Sequence, residues 1–127
     1  MAKAAAKKTS AGSATEVSRL SAVAGVVVDS DTESARLLYD RIRLGIMSAL
    51  SVNRKMSFAE LKELLGTTDG NLSKHARRLE DAGFVSCKKD FAGRTPRTQY
   101  QLTAKGSRTF ARHLQHMEAL IEATRGE

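Results

Sequence analysis

From Asp69 to Ala82 the chain reads Asp-Gly-Asn-Leu-Ser-Lys-His-Ala-Arg-Arg-Leu-Glu-Asp-Ala. Wound as a helix, this stretch turns Leu72, Ala76 and Leu79 to one face. Gly70, Lys74, Arg77 and Asp81 fall on the opposite face, flanked by Asn71, Ser73 and Arg78. That second face can hydrogen-bond to nucleic acid: an Arg fork takes a guanine edge, Asn an adenine edge, and Lys or Ser a phosphate oxygen. Most charged helix faces are simply solvated, so the neighbours matter. Lys88, Lys89, Arg94 and Arg97 cluster around the tip Phe91-Ala92-Gly93-Arg94-Thr95-Pro96 that follows. Such charge also keeps an exposed hairpin soluble and deters edge pairing. The coincidence of two basic sequence neighbours favours a shared binding role on one side of the fold.

Other residue types suggest chemistry that their spacing does not support. His113 and His116 stand at i and i+3, a spacing that can share a metal, but no cysteine lies near and Glu118 is on a different face from the pair. Two surface histidines and no metal site is the expectation. His75 flanks the core face of its helix and reads as a packing or phosphate-contacting residue. Cys87, the one cysteine, rules out an intramolecular disulfide and reads as a buried, inert thiol; a redox sensor would need an exposed, acidified thiolate. No nucleophile–base set, phosphate-cradling glycine loop or dinucleotide fingerprint occurs, so neither catalytic residues nor a cofactor are expected. The chain reads as a non-enzyme.

The elements that position these residues follow from caps, periods and charge. The 127 residues suit one domain, and 41% hydrophobic with 28% charged residues is a globular mixture. The formal charge of +7 is unevenly spread: residues 70–100 hold seven bases and three acids, and residues 1–20 four bases and one acid. Residues 1–29 read as a flexible basic tail, with Lys3, Lys7 and Lys8 able to add phosphate attraction. The nine-residue run Leu20–Val28 is too short to span a bilayer, and no signal peptide is evident, which points to a cytoplasmic, nucleoid-associated protein with no membrane partner.

Residues 30–123 read as the folded domain. Ser30 with Glu33 predicts a helix start, and Leu37, Leu38, Ile42, Ile46, Met47 and Leu50 continue its period to Asn53. Ser57 with Glu60 caps a short helix that stops at Gly66. Thr68 caps the next helix, which ends at Gly83. Phe84–Lys89 and Arg97–Leu102 read as strands around an Asp90–Pro96 turn, and Thr103 caps a last helix. That helix carries the stripe Phe110, Leu114, Met117 and Ile121, longer than a small core can cover, and so reads as a homodimer interface aided by the first helix. The order helix, short strand, helix, tight turn, helix, hairpin, helix makes the expected fold class α+β, mainly helical, and the two helices around Gly66-Thr67-Thr68 have the length and connection of a helix-turn-helix.

Three segments carry a family resemblance. Arg43-Leu44-Gly45-Ile46-Met47, Thr68-Asp69-Gly70-Asn71-Leu72-Ser73-Lys74-His75 and Leu79-Glu80-Asp81-Ala82-Gly83-Phe84-Val85 together resemble small winged-helix transcriptional regulators of the MarR/ArsR-like superfamily. Arg94-Thr95-Pro96-Arg97-Thr98, then Leu102-Thr103-Ala104-Lys105-Gly106, look like that family's wing and its exit into the dimerisation helix. The likeness covers roughly residues 33–122 and is specific in combination. It implies a winged helix-turn-helix with a two- to three-stranded antiparallel wing and a C-terminal dimerisation helix, forming a homodimer on double-stranded DNA with the third helix in the major groove. By that resemblance Thr68, Asn71, Ser73, Lys74, Arg77 and Arg78 contact DNA from the helix, and Lys89, Arg94 and Arg97 from the wing. Two functions fit: a sequence-specific regulator, most simply a repressor with an unknown small-molecule effector, or an architectural protein that uses the same fold on non-specific DNA or an acidic protein. Asn71, Ser73 and Arg77 favour the first, since an electrostatic binder needs only Lys and Arg.

Overall fold

Side-chain caps and left-handed glycines mark out the elements. In a computed structural model that describes residues 14–29 and 33–125, these are α1 (Ala14–Asp29), α2 (Glu33–Leu37), α3 (Arg41–Val52), β1 (Met56–Ser57), α4 (Phe58–Leu65), α5 (Asp69–Asp81), β2 (Val85–Ala92), β3 (Thr95–Leu102) and α6 (Ala104–Thr124). The Ser57 hydroxyl accepts from the Glu60 N–H at 3.1 Å while Glu60 Oε1 accepts from the Ser57 N–H at 2.8 Å, a reciprocal capping box. Gly66, at φ 59°, ends α4 in the left-handed region where a side chain would be strained. Thr68 Oγ1 then accepts from the Asn71 N–H at 3.2 Å and opens α5. Thr103 Oγ1 accepts from the Gly106 N–H at 2.9 Å and donates to the Gly83 carbonyl at 2.6 Å, so one hydroxyl caps α6 and ties it to the end of α5.

The start of the domain differs from the sequence expectation of one helix from Ser30 to Asn53. Ser30 lies outside the described residues, and the helix is interrupted by a turn between Leu37 and Arg41. Asp40 is the reason. Its Oδ1 accepts from the N–H groups of Ile42 at 2.8 Å and Arg43 at 3.0 Å, making it the N-cap of α3. The expected tail also differs over residues 14–29, which form α1 and pack along α6; residues 1–13 lie outside the described residues. His113, expected at the surface, is buried and meets the Tyr39 ring edge-on at 5.2 Å between centroids.

The sheet has strand order β1-β3-β2, all antiparallel. Val85 faces Leu102, Cys87 faces Tyr100, and Phe91 faces Pro96. The wing is longer than expected: both strands continue to a two-residue turn, Gly93-Arg94, with Gly93 at φ 69°. A positive φ at the first central position suits the right-handed twist of the flanking strands. Pro96 is tolerated because β1 pairs only with Gln99 and Tyr100, leaving the far end of β3 as an edge.

The core gathers Leu38, Ile46, Met47, Leu61, Leu72, Leu79 and Phe84, all fully buried, with Val85, Tyr100 and Phe110 around them. Burying each such side chain stabilises the fold by about 1.5–3 kcal/mol. Gly106 lets α6 back directly onto the hairpin: a Cβ there would stand 2.0 Å from the Phe84 carbonyl oxygen. This closeness brings Phe110 into the chain's own core, where it is 4% exposed. It is therefore packed within its own chain rather than on the outer face where the stripe was expected to lie.

Candidate nucleic-acid interface

Helix α5 is divided as its sequence dictates. Leu72, His75, Ala76 and Leu79 are buried against the core. Thr68, Gly70, Ser73, Lys74, Arg77 and Arg78 are exposed, and Asn71 is half-buried. Nothing stands within 4 Å of where a Gly70 Cβ would be, so this first turn leaves open room for a bound surface. Several of the expected contacts have partners of their own. Asn71 Nδ2 donates to Thr67 Oγ1 at 2.8 Å, which holds the amide at the helix start with its carbonyl side available. Arg77 Nε lies 3.5 Å from Asp81 Oδ1 one turn on, a pair between two well-exposed groups that solvent screens strongly. Asp69 at the first turn pairs with Lys62 of α4 at 2.9 Å.

The wing stands beside this helix. A cleft of about 650 Å³ runs between them, lined by Ser73, Arg77, Glu80 and Asp81 of α5 and by Cys87, Lys89, Thr98 and Tyr100 of the hairpin. Lys89 and Arg94 are exposed and free to meet a phosphate. Arg97 is not placed the same way. It is half-buried, and its Nε and an Nη donate to the Asp90 carboxylate at 3.1 and 3.4 Å. The hydrogen bond from Arg97 holds the Asp90 carboxyl below the usual range, and Asp90 in turn raises the Arg97 guanidinium above its own. The pair sits directly opposite in the hairpin register. The expectation that Arg97 works beside Lys89 and Arg94 therefore meets a competing intramolecular partner.

Other features were not legible as site features. Glu80 and Asp81 bring negative charge into the cleft, which limits a purely electrostatic role for it. Phe91, 65% exposed beside Pro96, gives the wing an apolar tip. Cys87 is half-buried against Tyr100, whose hydroxyl is pushed up to about 12 by burial and then by the neighbouring thiol, and stays protonated. Among the described residues no three His, Cys, Asp or Glu side chains converge as a metal group would require. None of the described helices is long and apolar enough to cross a membrane.

Helices α1 and α6 pack together as a pair. Leu114 and Ile121 of α6 remain exposed, as do Val17 and Leu20 of α1, while Met117 is half-buried.

Comparison with known proteins places these features in context. A family model described as a winged helix DNA-binding domain matches residues 42–121. An uncharacterized protein of Methanocaldococcus jannaschii is 36% identical over 73 residues, covering 58% of this chain and 79% of that protein. The solved structure of a transcriptional regulator homologue from Pyrococcus horikoshii OT3 superposes with a TM-score of 0.69 at 34% identity, over 77% of this chain and 95% of that one. A MarR family transcriptional regulator from Silicibacter pomeroyi shares the fold at 22% identity, with a TM-score of 0.57 over 68% of this chain and 58% of that one.

Proposed function

The chain belongs to the winged helix DNA-binding domain family, and from that premise we propose that it is a sequence-specific transcriptional regulator that binds as a homodimer. In this reading α5 lies in the major groove and β2–β3 lies alongside. The observation that carries it is the composition of the outward face of α5, where Asn71, Ser73 and Arg77 accompany Lys74 and Arg78 on a helix fixed by four buried residues. Asn and Arg can pair with base edges, whereas Lys at a phosphate fixes register without reading sequence. The acids Glu80 and Asp81 in the adjoining cleft disfavour a surface built only for phosphate.

The dimer follows from the helix pair. Leu114, Ile121, Val17 and Leu20 are exposed apolar side chains on α1 and α6, on elements other than the DNA-facing ones. Two copies joined there would present two α5 helices to an inverted repeat, which gives a linked pair of half-site contacts. Such a protein acts by occupying its operator, in the cytoplasm and on the nucleoid, and represses where the operator overlaps a promoter.

Selection from random duplex DNA tests the reading. The expected result is an enriched inverted repeat bound far more tightly than scrambled DNA. Leu114→Glu should give a monomer by light scattering and lose roughly 10²–10⁴-fold in affinity for the full repeat, since the second half-site is no longer tethered. Enrichment of no sequence would favour the architectural alternative. An unchanged dimer in Leu114→Glu would move the interface elsewhere.

A further inference from the structure

Behind the DNA-facing side of α5 lies a buried polar cluster that the interface does not use. Arg43, 9% exposed, and His75, 7% exposed, are buried from positions 32 residues apart. The Arg43 Nε donates to the Leu37 carbonyl at 2.7 Å, satisfying the last residue of α2. Its Nη1 lies 2.9 Å from His75 Nδ1. A guanidinium has only donors, so Nδ1 must accept, and the imidazole is neutral with its proton on Nε2. The same Nδ1 stands 3.7 Å from Asp40 Oδ1. A protonated Nδ1 can no longer accept from Arg43 and has Asp40 as its acceptor instead. The ring thus has two alternative partners, selected by one proton.

We propose that the Arg43–His75 hydrogen bond is a latch that positions the DNA-reading helix, and that proton uptake at His75 Nδ1 opens it by exchanging Arg43 for Asp40. Arg43 and His75 are positioning residues: they act through α5, whose Leu72, His75, Ala76 and Leu79 share one buried face. The latch joins α5 to α2, which packs on α6, so it spans from the DNA side to the helix pair. The charged groups around the imidazole are Asp40 and Arg43 from the α2–α3 junction and α3, and Lys74 and Arg78 from α5 itself. Burial lowers the proton affinity of His75, Asp40 opposes that, and the three cations add to it. Burial also lowers that of Arg43, which Asp40 counters. For Asp40 burial acts against the charge, but the Arg43 N–H, His75 and the Ile42 N–H outweigh it, so the carboxylate is available as the second partner.

A histidine with a depressed folded pKa contributes stability that is present above its unfolded value, about 6.5, and is lost as pH falls through the folded value. The latch is closed at neutral pH and opens on the acid side.

The inference rests on α5 being the helix that reads DNA, and the test separates the two. In the free ¹⁵N-labelled protein, His75 should show a bare Nδ1 at neutral pH. The backbone amides of residues 70–78 should then shift together with the His75 titration. On DNA, His75→Asn keeps an acceptor near the Nδ1 position and removes the titration. Between about pH 7.5 and pH 5 the wild type should lose several-fold in operator affinity relative to His75→Asn, a comparison that cancels the general effect of pH on DNA binding. Arg43→Met should bind as an opened latch at every pH, with the operator-to-scrambled ratio reduced about tenfold and scrambled DNA nearly unaffected. Should Arg43→Met fail to fold, the His75→Asn pair decides alone. Amides of α5 that stay still through the His75 titration, or a constant affinity ratio between wild type and His75→Asn, would overturn the latch. A wild type that prefers no sequence at any pH would defeat the DNA-reading role of α5, with the resonance experiment still deciding the latch.

Discussion

Helix α5 carries its outward groups on a body with four buried residues, whereas the hairpin β2–β3 carries its cations on strands that extend out of the core beyond the facing pair Cys87 and Tyr100. Both elements carry exposed cations and are adjacent in sequence, although the acids Asp69, Glu80 and Asp81 balance the cations of α5. They differ in how firmly each places a side chain. Thr68 caps α5, Leu72 and Leu79 pin it, and the Arg43–His75 bond fixes its back. Reading a base edge needs this kind of placement, because a bidentate pair fails when misaligned by about an ångström. Attraction to phosphate tolerates far looser geometry. On the proposed function, selectivity is expected from the helix and general affinity from the wing.

The largest contrast should appear in stability. Leu72→Ala removes a fully buried side chain from under α5 and should cost about 2–5 kcal/mol. Phe91→Ala removes a larger side chain from the wing tip, where it is 65% exposed, and should change stability by only about 0.5 kcal/mol. Chemical denaturation monitored by circular dichroism measures both. Comparable losses would mean that the wing is part of the folded body to its tip.

Next in size is the cap. Thr68→Ala leaves the Asn71 N–H without its acceptor and should destabilise by about 1 kcal/mol, within a range of roughly 0.5–2. The same denaturation series reads it. No loss would mean that water replaces the hydroxyl, and that the helix start is less fixed than its geometry suggests.

The smallest effect concerns the wing's own ion pair. Asp90→Ala removes the carboxylate that engages Arg97 and should strengthen operator and scrambled DNA alike by a few-fold, steepening the log–log salt slope by about 0.9 if one more phosphate is contacted. Gel-shift titrations over a salt series check this. A change confined to the operator would mean that Arg97 takes part in reading sequence.

Much of this arrangement was legible because its determinants are local. Ser57 with Glu60, Gly66, Thr68 and Thr103 are caps and stops whose partners lie within three or four residues. The buried face of α5 follows from period alone. What was not legible depends on distant groups. Asp40 lies inside a run whose apolar period continues across it, so only the turn of the chain reveals a cap. Residues 14–29 read as part of a tail because the partner of their apolar run, α6, lies about 90 residues further along the chain and only the packing of α1 on α6 joins them. Arg97 looks like Lys89 and Arg94 until the hairpin register sets Asp90 opposite it. Arg43 sits in a recognisable motif, but its partner His75 is 32 residues away, and pattern alone does not join them. Phe110 fits a helix stripe until the Gly106 contact shows that its end of α6 is inside the core.

The most direct measurement compares Arg77→Ala with Arg94→Ala on operator and scrambled DNA at one salt concentration. If α5 reads bases, Arg77→Ala loses about 1–3 kcal/mol on the operator and little on scrambled DNA. Arg94→Ala should then weaken both by a similar factor and reduce the salt slope by about 0.9. Equal weakening of both DNAs by Arg77→Ala would contradict a base-reading helix and favour a protein that holds DNA without regard to sequence.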